Sequence, residues 1–343
     1  MPSISSSAVA AALADVDENS FVRDQHGDLV AQSTAGWAIA QMLDRLKVRP
    51  GMRLLEIGTG SGYSAALLAM LVGSAGQVVS VDVVPELVGR ARRLLTQVGL
   101  HQVSVHCGDG VAGAVGDAPF DRIVAWTTAP ELPASWIEQL APGGLLVAPV
   151  ALTPLSKTGA GVVVALNGLD PRGRALFEAG YVEMHDQVLT QWDVPPYGAD
   201  AARHDPQDRG WWLSAEHLRS ADSSVGDALL NTLIDHAYQR TGPLRADEAV
   251  ADFRGWLLAA RPAGVTTAAL GRPLWRIGYS DHAGAALVST IDGTDTSTTG
   301  AGDHYEIVAG WAEDWRSAGR PGLTDLRPAL TPTATGWLVR AEH

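Results

Sequence analysis

The sequence predicts a doubly wound, Rossmann-like α/β sheet followed by a tryptophan-rich C-terminal α+β domain, on three observations. The apolar run Leu54-Leu55-Glu56-Ile57 ends in Gly58-Thr59-Gly60-Ser61-Gly62-Tyr63 and passes at once into a helical pattern over 64–71. That order reads as strand, tight turn and helix. Strand and helix signals then alternate over short links as far as Val150, as a parallel sheet requires. From about Trp192 the alternation stops, and eight of the eleven tryptophans stand at or beyond that point.

Taken in order, residues 5–15 read as a short alanine-rich helix opened by serines, and 16–30 as polar, irregular chain. Within 31–46, Trp37, Ala40, Leu43 and Leu46 form a stripe at helical spacing. Ser33 or Thr34 is placed either to cap that helix or, from its N-terminus, to help hold a substrate carboxylate. Arg49-Pro50-Gly51 turns the chain into the glycine strand. The run 77–81 is a second strand ending at Asp82 and Val83, and 85–98 an amphipathic crossover helix starting at a proline. A third strand, 103–107, is closed by Gly108-Asp109-Gly110. A fourth, 120–126, opens on Thr127 and Thr128, which should face the crevice where open α/β sheets collect their ligands. Residues 132–140 read as a helix, Pro142-Gly143-Gly144 as a turn, 145–150 as a fifth strand, and 162–166 and 175–184 as edge strands.

Pro195 to Asp200 reads as a linker. Beyond it, helices are expected over 225–240, 246–260 and 306–318, and strands near 274–279 and 285–291. The division expected is an N-terminal segment of helices and substrate contacts (1–50), a cofactor-binding domain (51–192) and a C-terminal domain (193–343). In the last, tryptophans beside arginines suit either a structural core or a surface that grips a peptide.

Composition narrows the function. A net charge of −13, with 18% charged residues, argues against a phosphate-backbone partner. The lone Cys107 excludes an internal disulfide and argues against a thiolate metal site, and no metal ligands are assigned. No apolar run reaches the length of a membrane span, and residues 1–20 lack a basic segment followed by an apolar core. The chain is therefore read as cytoplasmic, with neither nucleic acid nor membrane as partner.

The spacing of the glycine turn selects a ligand. A dinucleotide fingerprint, G-x-G-x-x-G, needs glycine where Tyr63 stands, whereas this chain carries G-x-G-x-G. Asp82, about 20 residues after the last glycine, can accept from both ribose hydroxyls. With no P-loop lysine, S-adenosyl-L-methionine is the better fit. Asp109 can accept from an adenine amino group, an ordinary aspartate in a glycine turn being the alternative.

From Ser33 to Val150 the chain resembles the protein-L-isoaspartate O-methyltransferases, a branch of the class I S-adenosylmethionine-dependent methyltransferases. The resemblance lies in Leu55-Glu56-Ile57-Gly58-Thr59-Gly60-Ser61-Gly62-Tyr63, Gly108-Asp109-Gly110, Ala118-Pro119-Phe120-Asp121, Ala129-Pro130-Glu131-Leu132-Pro133 and the stretch 140–150. It implies that Gly58, Gly60 and Ser61 lie along the cofactor's amino-acid part, with Asp82 on its ribose, Asp109 on its adenine and Glu56 beneath the site. The candidate cofactor residues are thus Glu56, Gly58, Thr59, Gly60, Ser61, Gly62, Tyr63, Asp82, Val83, Asp109, Gly110 and Thr127. Thr34, or Ser33 one place earlier, matches the hydroxyl that family members place beside the substrate carboxylate, and both are the candidate catalytic residues. The chain departs from the family pattern at Gly36, where a proline is usual, and over 19–29, where the substrate-gripping segment is shorter.

The long C-terminal half resembles extensions in family relatives that act on ribosomally made, modified peptides of the lanthipeptide type. The resemblance thus implies methylation of an aspartate in such a peptide, the ester then closing to an aspartimide. The alternative is repair of isoaspartyl residues in damaged proteins. In either case the partner is a peptide or protein presenting a carboxylate already ionised at neutral pH, so no general base is needed. Accordingly the chain has no G-x-S-x-G elbow and no H-E-x-x-H.

Overall fold

The computed structural model describes residues 6–30, 33–185, 195–204, 210–271, 275–300 and 302–343. Ser5, Ala31, Gln32, Trp192 and Leu274, which bound several of the expected segments, lie outside the described residues.

Three helices precede the sheet: α1 (Ser7–Asp15), α2 (Glu18–Val22) and α3 (Gly36–Leu46). The sheet is then built from β1 (Arg53–Ile57), α4 (Tyr63–Val72), β2 (Gln77–Asp82), α5 (Pro85–Gln97), β3 (Val103–Cys107) and β4 (Phe120–Ala125). After β4 come β5 (Leu132–Pro133), α6 (Ala134–Glu138), β6 (Leu140–Ala151), β7 (Gly159–Asn167) and β8 (Asp170–Phe177). Seven strands lie in the order β3-β2-β1-β4-β6-β7-β8, and β5 lies outside this sheet. Neighbours from β3 to β6 are parallel; β7 and β8 are antiparallel, so the doubly wound sheet has a mixed edge. Leu54, Leu55, Val78, Val79, Ile123 and Val124 are fully buried, which is why these strands read as unbroken apolar runs. On α5, Leu87, Val88, Ala91 and Leu95 face the core.

Several local expectations are corrected. The irregular stretch 16–30 contains α2, because the Asp17 carboxylate caps it by accepting from the Asn19 N–H at 3.2 Å. Neither Ser33 nor Thr34 caps α3: the N-cap is Ala35, and Ser33 Oγ donates instead to the Val30 carbonyl at 2.8 Å. Trp37 stands 74% exposed, the buried stripe being Ile39, Ala40, Met42, Leu43 and Leu46. The helix expected over 132–140 shrinks to α6, preceded by β5. The expected turn at 142–144 is an irregularity inside β6, with Gly143 at φ 78°. The helix expected over 85–98 ends at Gln97, and Val98, its C-cap, is 52% exposed.

The C-terminal half forms a second seven-stranded sheet. Its strands are β9 (Ala201–His204), β10 (Gly210–Ala215), β11 (Tyr238–Thr241), β12 (Val265–Leu270), β13 (Trp275–Asp281), β14 (Gly284–Ser289) and β15 (Asp295–Thr299), in the antiparallel order β11-β15-β14-β13-β12-β10-β9. The helices here are α7 (Glu216–Arg219), α8 (Ser223–His236), α9 (Val250–Ala260) and α10 (His304–Ser317). Side chains alternate between the two faces with the period of a strand. Ala285 and Leu287 pack with Leu229, Leu230 and Leu233 of α8, whereas Ala286 and Val288 pack with Val308 of α10. Finally β16 (Arg327–Pro332) and β17 (Gly336–Glu342) return to the first sheet's side, β17 pairing with β5. One apolar cluster runs from Trp136, Leu146 and Val162 through Val339 to Phe253, Trp256 and Trp315, so the two halves share a core. Among the described residues no helix is long and apolar enough to cross a membrane.

Candidate active site

The β1–α4 turn doubles back on itself, with Gly58, Gly60 and Gly62 at φ 92°, 51° and 86°, where a side chain would be strained. A Cβ on Gly62 would lie 3.0 Å from that of Ala91, so α5 packs directly on the turn. The Asp82 carboxylate, 5% exposed at the end of β2, fixes the turn's middle by accepting from the Gly60 N–H at 2.8 Å and from the Val84 N–H at 2.9 Å. Each oxygen keeps a second lone pair for a ligand hydroxyl. Val83 beside it is half-buried.

Glu56 lies beneath the turn, fully buried. Its Oε1 accepts from Ser64 Oγ at 2.6 Å and from Trp126 Nε1 at 2.9 Å, and its Oε2 from Ser80 Oγ at 2.6 Å. Burial pushes this carboxyl up to about 7, against the three hydrogen bonds, which pull it down. Thr59 Oγ1 joins the same network, 2.6 Å from Ser80 Oγ. The Thr59 side chain is therefore engaged below the turn, leaving its backbone for a ligand. Tyr63 also points away: its ring is buried, 6.2 Å from that of Phe21, and burial lifts its phenol to about 12. Ser61 is buried too, its Oγ accepting from the Tyr63 N–H at 3.3 Å.

Asp109 is exposed just beyond β3 and accepts from the Val111 N–H at 2.8 Å, which leaves its second carboxyl oxygen without a partner among the described residues. Gly110 is required by packing, since a Cβ there would stand 2.7 Å from Ile57 Cγ2. Across the turn, a Cβ on Gly58 would meet Trp126 Cβ at 3.5 Å and Thr127 Cγ2 at 3.8 Å. Thr127 Oγ1 is buried with no hydrogen-bond partner among the described residues, a donor left over beside the glycine turn. The left-handed glycines, the lone pairs of Asp82 and Asp109 and this orphaned hydroxyl suit an adenosyl cofactor with an amino-acid tail.

Sequence reasoning missed two residues that tie the site together. Trp126 is visible in sequence as the residue before Thr127, but nothing signals that its indole reaches Glu56. Tyr181 receives Thr128 Oγ1 on its carbonyl at 3.0 Å, donates its hydroxyl to the Ala38 carbonyl at 3.1 Å, and sets its ring 6.1 Å from that of Trp126. It thereby fastens the first turn of α3, just after Thr34, to the strand ends. The Thr34 side chain is half-buried and has no hydrogen-bond partner among the described residues.

The family model for protein-L-isoaspartate(D-aspartate) O-methyltransferase matches residues 2–160. A protein-L-isoaspartate O-methyltransferase of Gloeobacter violaceus is 37% identical over 179 residues, 47% of this chain and 85% of that protein. One of Methanococcus aeolicus is 46% identical over 114 residues, 33% of this chain, and the chain spans only 53% of that relative's length. A solved protein-L-isoaspartate O-methyltransferase superposes over 98% of this chain and 94% of its own, with a TM-score of 0.51 at 18% identity, a likeness of fold that includes the second sheet. Sheet order and glycine turn together place the chain in the Rossmann-like fold class. Within that class, the chain belongs to the protein-L-isoaspartate O-methyltransferase family.

Proposed function

We propose that this chain transfers a methyl group to the carboxylate of an isoaspartyl residue in a protein or peptide. The observation that carries the reading is the meeting of the glycine turn, Asp82 and Thr127 at the carboxyl ends of β1, β2 and β4, in a chain with a 37% identical relative of that name. S-adenosyl-L-methionine, when bound, supplies a methyl group on a positively charged sulfur. The turn backbone, Asp82 and Asp109 would hold it, while Thr34 positions the acceptor carboxylate. That carboxylate is ionised at neutral pH, so the protein's task is orientation, which can contribute up to roughly 7–11 kcal/mol.

A second reading is methylation of an ordinary aspartate in a lanthipeptide-like modified peptide, the ester closing to an aspartimide. Gly36 and the short segment 19–29 favour it. The second sheet does not separate the two readings, since a solved protein named for isoaspartate shares the whole architecture. Side-by-side assay of an isoaspartyl hexapeptide and its aspartyl isomer, with labelled cofactor, decides between them. Methylation of the isoaspartyl peptide alone supports the first reading; methylation of neither, together with water loss from a cyclised aspartyl precursor, supports the second.

A further inference from the structure

A cavity of about 980 Å³ lies where the two halves meet, roofed by α9 and β17 and floored by the loops after β4 and β8. That volume is at the upper end of the range for ligand sites. Thr128 and Tyr181 line it, and both adjoin the wall of the glycine turn: Thr128 follows Thr127, and the Tyr181 ring lies against Trp126. A group reaching past Thr128 would therefore arrive at the carboxyl ends of β1 and β4.

The charges around this cavity do not balance. Five cationic side chains line it (Lys157, Arg219, Arg254, Arg261 and Arg340) against four anionic ones. Glu178 pairs with Arg254 at 3.0 Å, Glu183 with Lys157 at 3.7 Å and Asp200 with Arg219 at 3.2 Å, while Glu131 accepts from the hydroxyls of Thr333 and Thr335. On the C-terminal side, Arg254 is 7% exposed, its guanidinium carbon 5.0 Å from the centre of the Trp275 ring and its Nε without a partner among the described residues. Arg261 and Arg340 are exposed, and their guanidinium groups make no hydrogen bond or ion pair among the described residues. With Glu131 the one acid that faces no cation among the described residues, the surplus charge of the lining is positive, in a chain whose net charge is −13.

We propose that this cavity binds the substrate polypeptide beside the methylated residue and selects segments that carry further carboxylates there, with Arg261 and Arg340 as the selecting groups. The inference rests on the acceptor being a polypeptide carboxylate. Its test reads binding and turnover separately. The probe is a fluorescein-labelled heptapeptide with one central isoaspartyl residue flanked by glutamates, compared with the same peptide flanked by glutamines. Fluorescence anisotropy at low salt should show tighter binding of the glutamate peptide. The variant R261Q/R340Q should weaken that peptide about 3- to 10-fold, leaving the glutamine peptide and cofactor affinity unchanged. The same preference should appear in KM and not in kcat. Charge-selective binding without turnover would overturn the methyltransferase reading and keep the inference. Equal binding of the two peptides, or a preference that survives R261Q/R340Q, would overturn the inference whatever the turnover.

Discussion

Trp126 Nε1 donates to Glu56 Oε1 at 2.9 Å, joining two adjacent strand ends directly beneath the glycine turn. The same tryptophan's Cβ lies 3.5 Å from where a Cβ on Gly58 would be, so one side chain both closes the turn's wall and anchors its buried acid. Glu56 is thus a structural support of the glycine turn and is shut off from its surface.

Glu56 gives stability a pH dependence of known sign. Its carboxyl is raised from 4.5 to about 7, so the folded protein holds this proton more tightly than the unfolded chain. The resulting stabilisation is complete below pH 4.5 and is lost as pH rises through about 7, a change on the order of 3 kcal/mol. Urea denaturation of wild type and Glu56→Gln across this range should show the difference between them shrinking up to about pH 7 and flat above it.

Asp82→Asn should weaken cofactor binding about 10- to 100-fold, because the amide offers one acceptor oxygen where two backbone N–H groups and a ribose need the carboxylate. Calorimetric titration of S-adenosylhomocysteine measures this. Gly60 and Val84 lose an acceptor as well, so a fall in thermal stability should accompany the lost affinity.

Gly62→Ala should destabilise the fold by about 1–2 kcal/mol from the left-handed φ of 86° alone, with the Ala91 contact adding to it. The loss should appear as a lower denaturation midpoint with an unchanged slope.

Ser33 and Thr34 should behave differently although they are neighbours. Ser33 Oγ is committed to the Val30 carbonyl, whereas the Thr34 hydroxyl has no partner among the described residues. Thr34→Ala should lower kcat/KM for a peptide acceptor by about 10-fold while cofactor affinity is kept, a hydrogen bond to a charged group contributing roughly 1.5–3 kcal/mol. Ser33→Ala should change kcat/KM by less than about 2-fold.

The first sheet was legible because its central strands β1, β2 and β4 are buried on both faces and the links carry turn signals, from Gly58 to Pro85 to Gly108. The second sheet was mostly illegible for a physical reason. Thr296, Ser297, Thr298 and Thr299 are buried in β15, and Thr266 and Thr267 in β12, so strands that pack inside read as polar loop. Edge strands gave partial signals: β8 ends at Phe177, and the apolar residues that followed joined the cavity wall. Trp37 shows the converse, a large apolar side chain at helical spacing that faces outward. In the site, residue types and positions could be read from sequence, but which side chains turn down into the core could not. Thr59 and Tyr63 lie in the turn by sequence, and only the structure shows them pointing away.

The most direct test of the central claim is calorimetric titration of S-adenosylhomocysteine into the wild-type protein. The account predicts saturable binding of one ligand per chain. No heat with this ligand, or binding of a reduced nicotinamide dinucleotide in its place, would contradict it.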